Sequence, residues 1–328
     1  MIDKYNQLAQ KSLTEGTISA DDIRWIMEDE SLELLPLLQA AFTVRQKYFG
    51  KGVKIHIINN VQSGNCSEDC RYCGQSRNMK DKKENIYPMK NDNEILAEAK
   101  AAYEGGAYRY CMVFSGRDLG KNRIDRICEV VGKIKQKYSI EVCVSAGTLN
   151  QDEAATLKAA GVDRYNHNVN TSSNKYGEIC TSHSYEHRVG TIHNARNAGL
   201  DICSGVIIGM GESINDLVQI TEELKKVEAR SVPINFFIPI EGHGIKNPQP
   251  LNPEYCLKVL ALFRLALPDV EVRAAGGREY HLRSLQALAL YPCNSLFSRG
   301  YLTTGGETIE ETKKMIVDAG FYVDSIED

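Results

Sequence analysis

The segment NCSEDCRYCGQ, residues 65–75, places Cys66, Cys70 and Cys73 at a C-x₃-C-x₂-C spacing. Three thiolates are one too few for a structural zinc site and one too many for a redox dithiol. They suit a cubane [4Fe–4S] cluster whose fourth iron has no protein ligand and stays open to a small chelating molecule. The competing readings are a zinc site completed by His56 or His167, and three unrelated cysteines. Ser67, Glu68 and Asp69 add no further soft ligand.

A second constellation is dispersed. Cys111 lies in YRYCMVF, Cys143 in IEVCVSAG, Cys203 in LDICSGV and Arg273 in VEVRAAGG. Each falls early in an apolar or β-branched run that reads as a strand. If the strands close into a barrel, inward side chains at similar heights converge. A buried arginine then needs anionic partners, which a thiolate-held iron–sulfur cluster supplies. The alternative is that each cysteine is an inert core residue. Cys128 and Cys256 sit on apolar helical patterns and read as small buried hydrophobes.

The elements that must position these groups follow from periodicity. Eight short runs, at 53–62, 109–116, 141–147, 164–170, 201–210, 231–239, 270–277 and 294–302, alternate with amphipathic stretches. The helical stretches have marked ends, such as Asn91 or Asp92 before one and Gly105 after it, or Asn150 and Gly161 around another. Strict alternation points to a parallel sheet, and eight strands close into an α/β fold of the (β/α)₈ TIM-barrel type. An open doubly wound sheet is the runner-up. The layout is one domain over 1–328: a helical extension at 1–50, the barrel at 51–305, and a C-terminal helix and tail at 306–328. The three-cysteine loop then follows the first strand, on the face where barrel active sites lie.

Composition narrows the function classes. Of 328 residues 42% are hydrophobic, and a net charge of −4 is spread over interspersed lysines and glutamates. That pattern suits neither a nucleic-acid-binding surface nor a disordered tail. No apolar run approaches the ~18 residues of a membrane span. The N-terminal MIDKYNQLAQKSLTEG lacks the apolar core of a signal peptide. The expectation is a soluble, cytoplasmic protein without nucleic-acid or membrane partners. Ten cysteines in a reducing compartment imply ligation or catalysis rather than a disulfide framework.

A C-x₃-C-x₂-C loop after the first strand of a barrel resembles the radical S-adenosylmethionine enzymes. CSGVIIGMGE strengthens the likeness, since Gly205, Ile207, Gly209 and Glu212 match the family's G-x-I-x-G-x-x-E segment beside the adenine. Within that superfamily the chain resembles the biotin synthase family from about residue 40 to about residue 320. The resemblance rests on CSEDCRYCGQSR, YNHNVNTS, YEHR, CSGVIIGMGE, SVPIN, VRAAGGRE and GYLTT, in the family's order. It implies sulfur insertion into dethiobiotin, driven by S-adenosylmethionine bound to the open iron of a [4Fe–4S] cluster on Cys66, Cys70 and Cys73. It also implies a sulfur-donating auxiliary cluster, a [2Fe–2S] in the family, on Cys111, Cys143, Cys203 and Arg273.

The same resemblance places Tyr72 by the adenine, Asn170 by the ribose and Arg188 by the methionyl carboxylate. Asn168 and Asn235 match positions that hold the substrate's ureido ring and neighbouring groups. A low-potential flavodoxin or ferredoxin as electron donor, and a homodimer, are further implications. Related enzymes of the hydrogenase-maturase or methylornithine-synthase type share the barrel and the first cluster. An iron–sulfur electron carrier or sensor is the non-enzymatic alternative. Three features depart from the family pattern: Asn170 stands where an Asp is usual, MVFSGRDLG follows Cys111, and Cys293 in LYPCNSLF replaces a small residue. Placed near the barrel bottom, Cys293 would be a further auxiliary ligand and allow a four-iron cluster. Cys180, in GEICTSHS, sits on a connection and is expected to face away from the barrel interior.

Overall fold

The computed structural model describes residues 2–79, 86–118, 120–300 and 305–326. Its strands are β1 (Gly52–Gln62), β2 (Arg109–Phe114), β3 (Glu141–Ser145), β4 (Arg164–Asn166), β5 (Asp201–Cys203), β6 (Val206–Ile208), β7 (Ser231–Phe236), β8 (Glu271–Ala274), β9 (Ser295–Ser298) and β10 (Tyr322–Asp324). Pairing is parallel throughout and runs β1-β2-β3-β4-β5-β7-β8-β9, with β6 beside β7 and β9 returning to β1. The sheet is therefore a closed barrel of eight staves, which rules out the open doubly wound alternative.

One stave is split. The run expected at 201–210 is broken at Gly205 into β5 and β6. A Cβ at Gly205 would lie 1.9 Å from the Pro233 carbonyl oxygen on β7, so only glycine lets the two strands approach there. β10, pairing with the first residues of β1, was not expected at all.

Helices cover the barrel between the strands, and their ends obey local chemistry. Asn91 caps Asp92–Glu104 and Asn150 caps Gln151–Ala159, each in a reciprocal capping box with a glutamate three residues on. Three helices, Ile2–Glu15, Ala20–Glu28 and Leu34–Phe49, precede β1 as expected. Leu34–Phe49 and Pro253–Ala266 grip the chain entering β9 through two buried arginines. Arg45 donates to the Cys293 carbonyl at 2.9 Å, and Arg264 donates to the Pro292 carbonyl at 2.8 Å and to Asn294 Oδ1 at 2.7 Å.

Side chains alternate in and out along each strand. On β2 and β3, Tyr110, Met112, Val142 and Val144 join the core beneath the helices, whereas Cys111, Val113, Cys143 and Ser145 face inward. Among the described residues no helix is long and apolar enough to cross a membrane. The GYLTT motif lies outside the described residues from position 301 onward, as does Leu119 of the MVFSGRDLG segment.

Candidate active site

Two cavities meet inside the barrel. The upper one opens at the C-terminal ends of the strands and is lined by Cys66, Cys70 and Cys73 together with Tyr72, His167 and Arg188. The lower one is lined by Cys111, Cys143, Cys203 and Arg273, with Asn166, Asn168, Ile58, Pro233 and Phe297 completing the wall. Val113 and Ser145 line both.

The three-cysteine loop is held by a neighbouring loop more than a hundred residues away in sequence. Asp69 Oδ1 accepts from the backbone N–H of Thr181 at 2.9 Å and of Ser182 at 3.0 Å. Thr181 Oγ1 also donates to Asp69, while Glu68 accepts from Ser182 Oγ and pairs with His183 Nδ1. The Arg71 N–H donates to the Ile179 carbonyl at 2.9 Å. Burial alone would raise the Asp69 pKa, but the hydrogen bonds from Thr181 and Ser182 outweigh it and hold the group well below the usual carboxylate range. The loop is thus pre-organised.

Cys180 lies on the connection between the helices Ser173–Ile179 and Tyr185–Asn197 and lines neither cavity, as expected, and its Sγ lies 3.8 Å from Cys70 Sγ.

The cofactor-side residues divide into those that face the cavity and those that build its walls. Tyr72 is fixed by a 2.7 Å hydrogen bond from Asn170 Nδ2 to its hydroxyl. Asn170 adopts φ 67°, a left-handed conformation that Asn tolerates better than most residues. Arg188 donates to Tyr176 OH at 2.6 Å, to the Asn168 carbonyl at 2.9 Å and to His183 Nε2 at 2.8 Å. A guanidinium has five N–H donors, so two remain for a ligand.

Glu212 behaves otherwise: its carboxylate accepts from the Gly209 N–H at 2.8 Å and the Met210 N–H at 3.0 Å, closing its own turn. Gly209, at φ +100, needs glycine for that turn, and Ile207 is half-buried against the core. The two glycines thus serve strand approach at Gly205 and turn geometry at Gly209.

The two amides differ in the same way. Asn168 lines the lower cavity, and its Oδ1 accepts from the Gly205 N–H and from Asn166 Nδ2, both at 3.0 Å. Its NH₂ is thereby turned outward from those two donors. Asn235 is buried and bridges strands, donating to the Val206 carbonyl and accepting from the Gly276 N–H, both at 3.0 Å. It ties β6, β7 and the end of β8 together and does not line the lower cavity.

Cys111 and Cys143 are direct partners across β2 and β3. Cys203 accepts from Asn166 Nδ2 at 3.2 Å and from Arg273 Nη1 at 3.8 Å. Arg273 is 1% exposed, and among the described residues its Nε has no hydrogen-bond partner. An orphaned buried N–H on a guanidinium that lines one cavity with three thiols fits an anionic group held there, as an iron–sulfur cluster is. The upper donor set, three sulfurs lining one open cavity, fits a three-cysteine cluster equally well.

Below the lower cavity lies a polar layer that sequence reasoning missed. Glu271 Oε1 accepts from Arg273 Nη2 at 2.5 Å, Ser231 Oγ at 2.8 Å, Arg109 Nη1 at 3.2 Å and Ser295 Oγ at 3.3 Å. Arg164 Nη1 stands 3.8 Å from Oε2, and His56 Nε2 3.3 Å from Oε1. Burial would raise the Glu271 pKa, but Arg109 and its neighbours hold it well below the ordinary carboxylate value. One signal was available: Glu271 is two residues before Arg273 on one strand, so both point inward.

Cys293 is placed elsewhere, contrary to the expectation of a further auxiliary ligand. It is fully buried within the outer core and does not line the lower cavity. Its carbonyl is gripped by Arg45, and burial pushes its thiol up to about 12. Cys293→Ala is therefore expected to leave iron and sulfide per chain unchanged from wild type, measured on anaerobically isolated protein.

Comparison with known proteins agrees with this geometry. The family profile described as the Radical SAM superfamily matches residues 61–224, and that of the Biotin and Thiamin Synthesis associated domain matches residues 233–322. A biotin synthase from Magnetococcus marinus is 54% identical over 303 residues, covering 92% of this chain and 94% of its own. One from Halalkalibacterium halodurans is 45% identical, covering 98% and 96%. Among solved structures, methylornithine synthase superposes with a TM-score of 0.83 at 19% identity over 97% of both chains. The FeFe-hydrogenase maturase of Carboxydothermus hydrogenoformans gives 0.82 at 19% identity, over 97% of this chain and 79% of its own. These two bear on the fold, the closer relatives on the family: the chain is a member of the radical S-adenosylmethionine superfamily and, within it, of the biotin synthase family.

Proposed function

We propose that the chain makes biotin from dethiobiotin by inserting one sulfur atom, with the radical started in the upper cavity and the sulfur held in the lower one. One observation carries the reading: Val113 and Ser145 line both cavities, so a substrate lying across them faces both sets of cysteines. Cys66, Cys70 and Cys73 would hold a [4Fe–4S] cluster with S-adenosylmethionine on its open iron. Cys111, Cys143, Cys203 and Arg273 would hold the auxiliary cluster. A [2Fe–2S] cluster is the type the family resemblance implies, and four ligands complete it. When bound, these groups supply one-electron reduction, hydrogen abstraction and the sulfur atom, with a low-potential flavodoxin or ferredoxin as the electron source.

The chain's own residues bind, orient and exclude. Tyr72, braced by Asn170, offers an aromatic surface to the adenine. The two free donors of Arg188 suit the methionyl carboxylate. The NH₂ of Asn168 suits the ureido carbonyl of the substrate. Ile58, Val113, Pro233 and Phe297 give the lower cavity an apolar wall that keeps water and thiols from quenching a radical. The test is anaerobic incubation of the reconstituted protein with dethiobiotin, S-adenosylmethionine and a low-potential reductant. Biotin is the expected product. Cleavage of S-adenosylmethionine with no biotin would contradict the substrate assignment.

A further inference from the structure

We propose that Cys180 is the resolving thiol of Cys70: in the cluster-free chain, a peroxide joins the two in a reversible disulfide that withdraws Cys70 from the ligand set. The inference rests on the reading of Cys70 as a cluster ligand. Its basis is geometric. The two sulfurs are 3.8 Å apart and buried, at 9% exposure for Cys70 and 2% for Cys180. A disulfide bond is about 2.05 Å long, so the sulfurs must approach by roughly 1.8 Å.

The backbones that carry them are already fastened together. Asp69, the residue before Cys70, binds the N–H groups of Thr181 and Ser182, the two residues after Cys180. Arg71, the residue after Cys70, binds the carbonyl of Ile179, the residue before Cys180. The pair is thus bracketed on both sides, and this register does not depend on a bound cluster.

Access is unequal. Cys70 lines the upper cavity, where a small oxidant can reach it, whereas Cys180 does not. Cys70 sulfur attacks hydrogen peroxide, an S–O bond forms, the O–O bond breaks and one water leaves. Cys180 sulfur then attacks Cys70 sulfur, the S–S bond forms, the S–O bond breaks, and a second water leaves with the Cys180 proton. Two thiols lose two electrons in all, and the peroxide accepts them. Without a resolving partner, the sulfenic acid would be oxidised onward to sulfinic acid, which thiol reductants do not reverse.

A metal ion is a weaker use of this corner. Donor atoms of Glu68, Cys180 and His183 lie within 4.8 Å of one another. However, His183 Nδ1 is already paired with Glu68, and its Nε2 accepts from Arg188 at 2.8 Å. The trio is a satisfied hydrogen-bonded frame.

The test uses the full chain stripped of iron anaerobically, treated with two molar equivalents of hydrogen peroxide, one more than the disulfide consumes and the number that a sulfinic acid requires, then alkylated, digested and analysed by mass spectrometry. The expected product is a Cys70–Cys180 cross-link that dithiothreitol removes. Iron and sulfide loading should fail before that reduction and recover after it. In C180S, loading before oxidation should match wild type, whereas oxidised C180S should carry Cys70 sulfinic acid and fail to recover with dithiothreitol. A cross-link within Cys66, Cys70 and Cys73, no cross-link, or full recovery of oxidised C180S would each overturn the proposal. Failure of the unoxidised wild-type chain to load any cluster would instead overturn the ligand reading beneath it.

Discussion

Replacing Cys66 with alanine is expected to abolish reductive cleavage of S-adenosylmethionine while leaving the barrel folded. Cys66 is half-buried at the rim of the upper cavity, in a loop whose shape is set by other residues. The hydrogen bonds of Glu68, Asp69 and Arg71 to residues 179–183 hold that loop, and none of them involves the Cys66 side chain. The substitution therefore removes one thiolate from the donor set without disturbing the fold. Two cysteines cannot hold a cubane cluster and still leave one defined open iron. The measurement is 5′-deoxyadenosine formed per chain under a low-potential reductant, with the unfolding midpoint as a control on folding.

The largest expected effect on stability belongs to Glu271→Gln. This carboxylate accepts hydrogen bonds from Arg109 and Arg273 and faces Arg164 at 3.8 Å, all at the barrel floor. Neutralising it leaves three buried cations with only the half-buried Glu141 and the exposed Asp201 at their outer ends. Removing one partner of a buried ion network costs about 3–5 kcal/mol. That is a large part of the roughly 5–15 kcal/mol that holds a typical domain folded. A loss below about 1 kcal/mol, the worth of an exposed pair, would contradict this account of the floor.

The same layer gives wild type a pH signature. Glu271 is held below its ordinary value of 4.5, so its stabilisation is complete above that pH and is lost as pH falls through the folded value. His56 is pushed well below 6.5 by burial and by Arg273 and Arg109, which favours the neutral ring in the fold. Its contribution is likewise present above about 6.5 and declines below it. Stability of the cluster-free chain should therefore fall on acidification from near pH 6.5, first through His56 and then through Glu271. Urea midpoints measured across that range check the direction.

How much of this was legible beforehand depended on whether a local pattern carried it. The staves of the barrel were visible because apolar runs and capped helices recur along the chain, and Asn91 and Asn150 cap as their positions imply. The break at Gly205 was not visible, because its cause is the Pro233 carbonyl on another strand. β10 escaped notice because it is three residues long, with Tyr322 exposed. The convergence of Cys111, Cys143 and Cys203 could be read because they fall at similar heights on strands of one barrel, and the place of the three-cysteine loop because it follows β1.

Cys293 misled because its position near the barrel bottom does not say which face of the wall a side chain occupies. It packs outward, toward the helices that carry Arg45 and Arg264. Cys180 faces away from the interior as expected, but its neighbour Cys70 was not legible, because two loops bonded across the top of the barrel bring the pair together. The backbone hydrogen bonds of Asn235 and Glu212 were not legible either, because their partners are set by the fold of neighbouring strands and turns.

In the proposed function the upper cysteines start the radical and the lower ones supply the sulfur. Cys143→Ala separates these roles, because Cys143 lines the lower cavity and not the upper. With dethiobiotin, S-adenosylmethionine and reductant under anaerobic conditions, the variant should still release 5′-deoxyadenosine but form no biotin. Biotin formation at the wild-type level by Cys143→Ala would contradict the account.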